Sequence, residues 1–374
     1  YDFSVLPLFV LMGNFVARSG ISHDLYLASN AFLGHRRGGI AMATVVACGG
    51  FAAVCGSSLA TVATMTKIAM PSMRRFNYAP SLAAGSIAAG GTLGIMIPPS
   101  IAMVFYGIMT ETDIGKLFIA GILPGLLGVF LYASSVAVVT RIDPSLGPPG
   151  ERVPWAERIR AMRGVWGMMA LFVLVIGGIY GGLFTPTEAA GIGATGAFAI
   201  ALLRGRLTLR TTLEALAETG RTTAMLMTLL IGSLLFANFI NVARLPNDIA
   251  DWLGGMAVDP IVVILLIVAI YIVLGCILES ISMLLLTVPV FYPVVHALGF
   301  DPIWFGIVVV VVIEISLITP PIGLNVFVLN AMLPEISLAT IFRGVMPFIA
   351  ADIVRVSVIV FVPALSLVLP RLME

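Results

Sequence analysis

Apolar residues fill this chain in long runs, and polar residues fall between the runs or at a few points inside them. A long apolar run reads as a helix that crosses a bilayer, because a helix satisfies its own backbone polar groups. The runs predict spans at about residues 3–16, 79–109, 116–140, 164–184, 187–203, 222–242, 303–332 and 342–369. Two further runs are too long for one crossing and carry a polar point midway. They are residues 38–71, around Gly56-Ser57-Ser58, and 260–295, around Glu279-Ser280. Each reads as a re-entrant hairpin, spanning 38–73 and 260–297. Segment 21–33, with Ser22, His23 and Asp24, and segment 204–219, with Leu209, Leu213 and Leu216 on one face, read as helices lying along the interface. Residues 141–163, rich in Pro and Arg, read as a polar loop.

Two spans contain what a helix tolerates least. Residues 79–109 hold Gly90, Gly91 and Gly94 just ahead of Pro98-Pro99, and residues 303–332 hold Pro320-Pro321. Proline has no N–H to give, so each pair strips the preceding turn of its hydrogen bonds, which at membrane depth is costly unless the freed carbonyls line a cavity. Pro320 follows Pro98 by 222 residues, and the same offset carries Pro71 to Pro293, Ser57 to Glu279 and Tyr78 to Phe300. Near it, Gly121-Ile122-Leu123-Pro124 meets Gly344-Val345-Met346-Pro347, and Gly13-Asn14-Phe15 meets Ala237-Asn238-Phe239. This ordered series predicts a duplication: a first repeat at 1–140, connecting spans and an amphipathic arm at 141–220, and a second repeat at 221–374. All belong to one transmembrane domain.

Composition sharpens the picture. The chain is 60% hydrophobic and 10% charged, against roughly 25% charged in soluble domains. Its net charge of +1 gives no electrostatic case for nucleic acid. Cys48, Cys55 and Cys276 have no paired spacing, which argues against a disulfide or a transition-metal site. The chain opens on Tyr1 inside an apolar run, so the natural protein is expected to begin upstream. Arg36, Arg37, Arg74 and Arg75 place the base of the first hairpin in the cytoplasm, whereas residues 246–342 carry no Lys or Arg. The second hairpin then enters from outside. The expected fold is an all-α polytopic membrane protein with two inverted repeats, each a hairpin plus a broken helix, as in alternating-access transporters.

A hairpin tip beside a broken helix offers backbone carbonyls without helical partners, and such hard oxygens suit a cation like sodium. The candidate first sodium site is Gly56, Ser57 and Ser58 with Gly94, Ile97 and Pro99; the second is Glu279 and Ser280 with Ser316, Thr319 and Pro321. Glu279 reads equally as a functional intramembrane acid or as a cap on the returning helix. Glu314 reads as a partner of a basic group or as a protonation site. Arg244 reads as an interfacial arginine or as a receiver of a substrate carboxylate. Gly56-Ser57-Ser58 could suggest a serine nucleophile, but no spanning segment supplies a histidine base, so catalysis is not expected.

With these residues in view, the chain resembles the large permease (M) subunit of TRAP transporters. The resemblance rests on Gly56-Ser57-Ser58-Leu59-Ala60, on residues 91–100, on Leu117-Phe118-Ile119-Ala120-Gly121-Ile122-Leu123-Pro124-Gly125, on Thr185-Pro186-Thr187-Glu188-Ala189-Ala190 and on residues 318–325. It implies a sodium-gradient-driven importer of organic acids, such as C4-dicarboxylates or sialic acid, in the bacterial inner membrane, working as an elevator. It also implies two partners: a small Q-type membrane subunit, separate or fused, and a periplasmic substrate-binding protein. Cys55, Ser100, Arg244, Glu279 and Asn325 are the candidates for touching the acid. No cofactor is expected beyond the coupling sodium. The alternative is a stand-alone sodium- or proton-coupled carboxylate or anion transporter of related fold. Two positions depart from the family pattern: Cys55 stands where a small hydroxyl residue is common, and Asn77-Tyr78 stands for Gly-Tyr. The resemblance also implies that about the first 50 residues of a typical member are expected upstream of Tyr1.

Overall fold

The computed structural model describes residues 2–245, 248–249 and 259–373. Its regular structure, among those residues, is entirely helical. In chain order the helices are α1 (Val5–Arg18), α2 (Ile21–Leu33), α3 (Gly39–Cys55), α4 (Ser58–Arg75), α5 (Pro80–Met96), α6 (Ile101–Thr110), α7 (Ile114–Ile142) and α8 (Trp155–Gly164). They continue as α9 (Trp166–Tyr180), α10 (Pro186–Leu203), α11 (Leu209–Val242), α12 (Pro260–Gly275), α13 (Ser280–Ala297), α14 (Pro302–Ser316), α15 (Leu324–Met332), α16 (Leu338–Phe361) and α17 (Ala364–Arg371). Among the described residues six segments are long and apolar enough to cross a membrane, or up to eight if each bent pair counts as one.

Both re-entrant hairpins are present, as α3–α4 and α12–α13, and both broken spans, as α5–α6 and α14–α15. At the first tip Gly56 takes a left-handed φ of 64°, which glycine reaches without steric cost. Ser57 then accepts a bond from the Ala60 N–H and starts the returning helix. Asn77 also has a left-handed φ, of 54°, a conformation that asparagine tolerates better than most residues with a side chain.

Each half packs on the other by exchanging partners. The returning arm α4 lies against α15 of the second half, and the equivalent arm α13 lies against α6 of the first. Likewise α5 pairs with α16 and α14 with α7. That reciprocity is what a pseudo-two-fold axis between inverted repeats demands. The α5–α16 crossing is in backbone contact: a Cβ added to Gly85 would strike the Gly344 carbonyl, and one added to Gly344 would strike that of Ser81. Small residues substitute for a hydrophobic driving force that lipid does not supply.

Three expectations change, and segment 21–33 keeps its expected helix. The amphipathic arm and the span after it are one helix, α11, capped by Thr208, which accepts from the Thr211 N–H. Nothing between them forbids continuation, since Gly220 alone costs about 1 kcal/mol in a helix. Its 34 residues reach roughly 50 Å, well beyond a hydrocarbon core of about 30 Å. The charged end is pinned to α1 by Arg18–Glu218 at 2.6 Å and by Asn14 donating to Thr219 at 2.9 Å. The polar loop contains a helix, α8, whose Arg158 guanidinium lies over the rings of Phe32 and Trp155 and donates to the Val153 carbonyl. Segment 21–33 is α2, bent by 62° from α1 and packed on α3 and α8. The closing span divides into α16 and α17 around Pro363.

Candidate functional site

The two hairpin tips, which stand far apart in sequence, face one cavity of about 240 Å³. Gly56, Ser57, Ser58 and Leu59 line it from the first tip, and Glu279, Ser280 and Ile281 from the second. Ile95 and Ile101 flank the first break, Leu317 and Leu324 the second, and Thr222, Met225 and Leu226 of α11 close the wall. The first residues of four helices, Ser58, Ile101, Ser280 and Leu324, thus meet at one place. Each helix N-terminus carries about half a positive charge from its aligned peptide dipoles. Among the lining residues Glu279 alone has an ionisable side chain. Positive charge for an anion therefore comes from the four helix ends rather than from any lining Lys or Arg.

At the first break the missing N–H groups of Pro98 and Pro99 release the carbonyls of Gly94 and Ile95 from helical pairing. The hairpin tip presses on this segment. A Cβ at Gly56 would lie 2.8 Å from the Pro99 carbonyl oxygen, and one at Gly94 would lie 2.9 Å from that of Ser57. Gly56, Ser57, Ser58, Gly94, Ile97 and Pro99 are thus brought together, and residues 91–100 are all buried. The Ser57 carbonyl also accepts from the Thr61 hydroxyl at 2.7 Å.

The second break is arranged differently. Pro320 and Pro321 release the carbonyls of Ser316 and Leu317 from helical pairing, Leu317 O accepting instead from the Asn325 N–H at 3.0 Å, and both prolines are exposed. The hairpin meets this break through Gly275, packed on the Ser316 side chain, and Cys276, whose Sγ lies 3.3 Å from the Pro320 carbonyl and shares its proton with Ile272 O at 3.1 Å. The Ser316 and Thr319 hydroxyls turn back to their own helix, donating to Ile313 O at 2.6 Å and Ile315 O at 2.7 Å. The Glu279 carboxylate caps α13, accepting from the N–H groups of Ile281 at 3.0 Å and Ser282 at 3.1 Å. Glu279 and Ser280 therefore join the shared cavity, while the outgoing arm touches the second break through Gly275 and Cys276.

The remaining candidates disperse. Ser100 is buried and caps α6, accepting from Met103 N–H at 3.3 Å. Cys55 is buried, with its carbonyl against Gly13. Asn325 is a buried brace: its Oδ1 accepts from Ser58 at 2.9 Å and its Nδ2 donates to Ala88 O at 3.1 Å. Arg244 is exposed just past the end of α11, roughly 30 Å along the helix axis from Thr222, at 1.5 Å per residue. Glu314 is fully buried and paired with Arg355, which resolves its role as a partner of a basic group. Sequence reasoning passed over Arg355, Asp352 and Tyr132, which form the surroundings of that pair. Ionisable residues three apart within an apolar helix were the available signal.

Two opposed hairpins, two broken helices and a common central cavity define a polytopic membrane transport protein of the inverted-repeat class. A family model for the tripartite ATP-independent periplasmic transporter DctM component matches residues 1–365, and the chain belongs to that family. It is accordingly a multi-pass protein of the bacterial inner membrane. The C4-dicarboxylate TRAP transporter large permease DctM of Pseudomonas aeruginosa is 39% identical over 373 residues, covering 99% of this chain and 86% of that protein. The isethionate TRAP transporter permease DctMQ of Oleidesulfovibrio alaskensis is 33% identical, covering 98% of this chain and 58% of that protein. Among solved structures, the Alcanivorax borkumensis YdaH transporter superposes with a TM-score of 0.64 over 95% of this chain and 84% of that one, at 18% identity; this supports the fold alone.

Proposed function

We propose that this large permease imports an organic acid together with sodium, receives it from a periplasmic binding protein, and moves it by an elevator motion braced by a small membrane subunit. The observation that carries the reading is the shared cavity. Four helix N-termini face it, and its one ionisable side chain is an acid. An anion entering there needs additional positive charge, and cations held by the carbonyls freed at the two breaks would supply it. The family's tripartite description supports the two partners, and a DctMQ relative of greater length fits a small subunit carried in the same chain. Relatives named for C4-dicarboxylate and for isethionate support an acid as substrate.

The first ion site is Gly56, Ser57, Ser58, Gly94, Ile97 and Pro99. The second is built on Ser316, Thr319 and Pro321, with Glu279 and Ser280 at the cavity it opens into. In this conformation the first break is buried and the second exposed, so the second ion would bind last and leave first. The division into repeats at 1–140 and 221–374 with a connecting arm at 141–220 is part of the same reading. So is the absence of covalent catalysis: the protein moves its substrate unchanged. Of the other acid contacts, Arg244 requires the helices carrying the cavity to travel toward it, as an elevator would allow.

The test is uptake into vesicles containing the permease and its small subunit. Uptake should require both an inward sodium gradient and the loaded binding protein. Full activity without the binding protein would instead identify a stand-alone carboxylate transporter, and flux indifferent to sodium would reject the coupling.

A further inference from the structure

Glu314, Asp352 and Arg355 take no part in the proposed ion or substrate sites, yet all three are fully buried. They sit between the two broken helices. Glu314 lies two residues before Ser316 on α14, and Asp352 and Arg355 lie on α16. Tyr132 reaches in from α7 and Thr92, two residues before Gly94, from α5. Arg355 pairs with Glu314, and its Nε stands 3.6 Å from Asp352 Oδ1. The guanidinium occupies space left by Gly128, where a Cβ would meet its Nη1. The titratable groups facing Asp352 are thus Tyr132 from α7, Glu314 from α14 and Arg355 from its own helix, with Thr92 beyond Tyr132.

Two independent counts disagree with a fully ionised cluster. The first is charge: one guanidinium faces two carboxylates, leaving one uncompensated negative charge where a bilayer protein cannot hydrate it. The second is hydrogen. Thr92 Oγ1 lies 2.8 Å from the Ala89 carbonyl and 3.1 Å from the Tyr132 hydroxyl, and that hydroxyl lies 2.5 Å from Asp352 Oδ2. Three oxygen–oxygen contacts run in series, and a separate hydrogen bond in each takes one proton. Thr92 and Tyr132 bring one each. The third has to come from Asp352.

We propose that Asp352 is a neutral carboxylic acid and that this cluster is a buried proton-binding site joining the two broken helices. One proton satisfies both counts. Asp352 Oδ2–H donates to Tyr132, Tyr132 donates to Thr92, and Thr92 donates to the Ala89 carbonyl. Glu314 keeps its charge against Arg355, and the cluster becomes neutral.

The test is infrared spectroscopy of the purified protein in lipid, which reads protonation directly and does not depend on transport. The wild type should show a carboxylic-acid carbonyl band, sensitive to deuterium exchange, that is lost in Asp352→Asn. Asparagine presents an N–H where the acid presents its O–H, so this variant should keep its thermal unfolding temperature. In Glu314→Gln, Asp352 becomes the only counter-ion of Arg355 and should give up its proton, so the same band should vanish with Asp352 still present. A wild-type spectrum without a band attributable to Asp352 would overturn the proposal. So would its persistence in Glu314→Gln, or an unfolding temperature for Asp352→Asn as low as that of Arg355→Met.

Discussion

The Ser58 hydroxyl donates to Asn325 Oδ1 at 2.9 Å, tying the tip of the first hairpin to the turn that follows the second break. Through its Nδ2, Asn325 also holds the Ala88 carbonyl of α5 at 3.1 Å, so one side chain joins three pieces of the two repeats. The internal symmetry does not reproduce this tie. Moved by 222 residues, Ser58 becomes Ser280, whereas Asn325 moves back to Met103, which cannot make the bond. The asparagine latch between the repeats therefore belongs to the first hairpin, and residue type rules out its equivalent at the twin. The latched side is the one whose break is buried, and the other side is open.

Asn325→Ala should therefore loosen the first hairpin. It leaves the buried Ser58 hydroxyl without its partner, an orphan that costs about 1–3 kcal/mol, and removes the side-chain bond to Ala88 O, which stays within the α5 helix. Thermal unfolding of the purified protein should drop accordingly, and sodium affinity should fall with it. Ser58→Ala removes one bond and should do less. Equal, negligible effects would show that the tie does not hold the tip.

Pro98→Ala restores an N–H opposite the Gly94 carbonyl and lets α5 recapture it. Ser57→Ala leaves every backbone carbonyl of the tip in place and removes a cap contact, worth about 1 kcal/mol. Sodium-driven uptake should fall much further in Pro98→Ala than in Ser57→Ala. The reverse order would shift the ligands from backbone to side chain.

Glu279 separates capping from charge. Glu279→Gln retains an oxygen for the Ile281 and Ser282 N–H groups and should lower stability by less than about 1 kcal/mol, with Glu279→Ala costing about 1 kcal/mol or more. If the charge helps to hold a coupling cation, the sodium concentration for half-maximal uptake should rise in Glu279→Gln although its unfolding temperature is nearly unchanged. Wild-type sodium dependence in that variant would leave the residue a cap.

Gly344→Val inserts a side chain where α16 meets the Ser81 carbonyl of α5. Overpacking of this kind costs about 1–3 kcal/mol, and here the backbone itself must move. The expected result is a lower yield of folded protein from the membrane and an earlier thermal transition. Gly220→Val, on an open face of α11, should have little effect.

The sequence by itself determined the parts that depend on local chemistry. Pro98-Pro99 and Pro320-Pro321 break helices because proline lacks an N–H, wherever they are placed. Gly56-Ser57 makes a tip because it supplies a left-handed turn and then a cap. The 222-residue offset carried the repeat, and the quoted motifs carried the family. Tertiary structure decided what depends on who faces whom. Apolar helices show no periodicity that separates lipid-facing from protein-facing sides, so the convergence of four helix ends on one cavity could not be read from the chain. Nor could the approach of Cys276, rather than Glu279, to the second break. The cluster of Glu314, Arg355, Asp352 and Tyr132 gathers residues from three helices. Its members look like isolated charges until packing excludes water and makes each account for its partners.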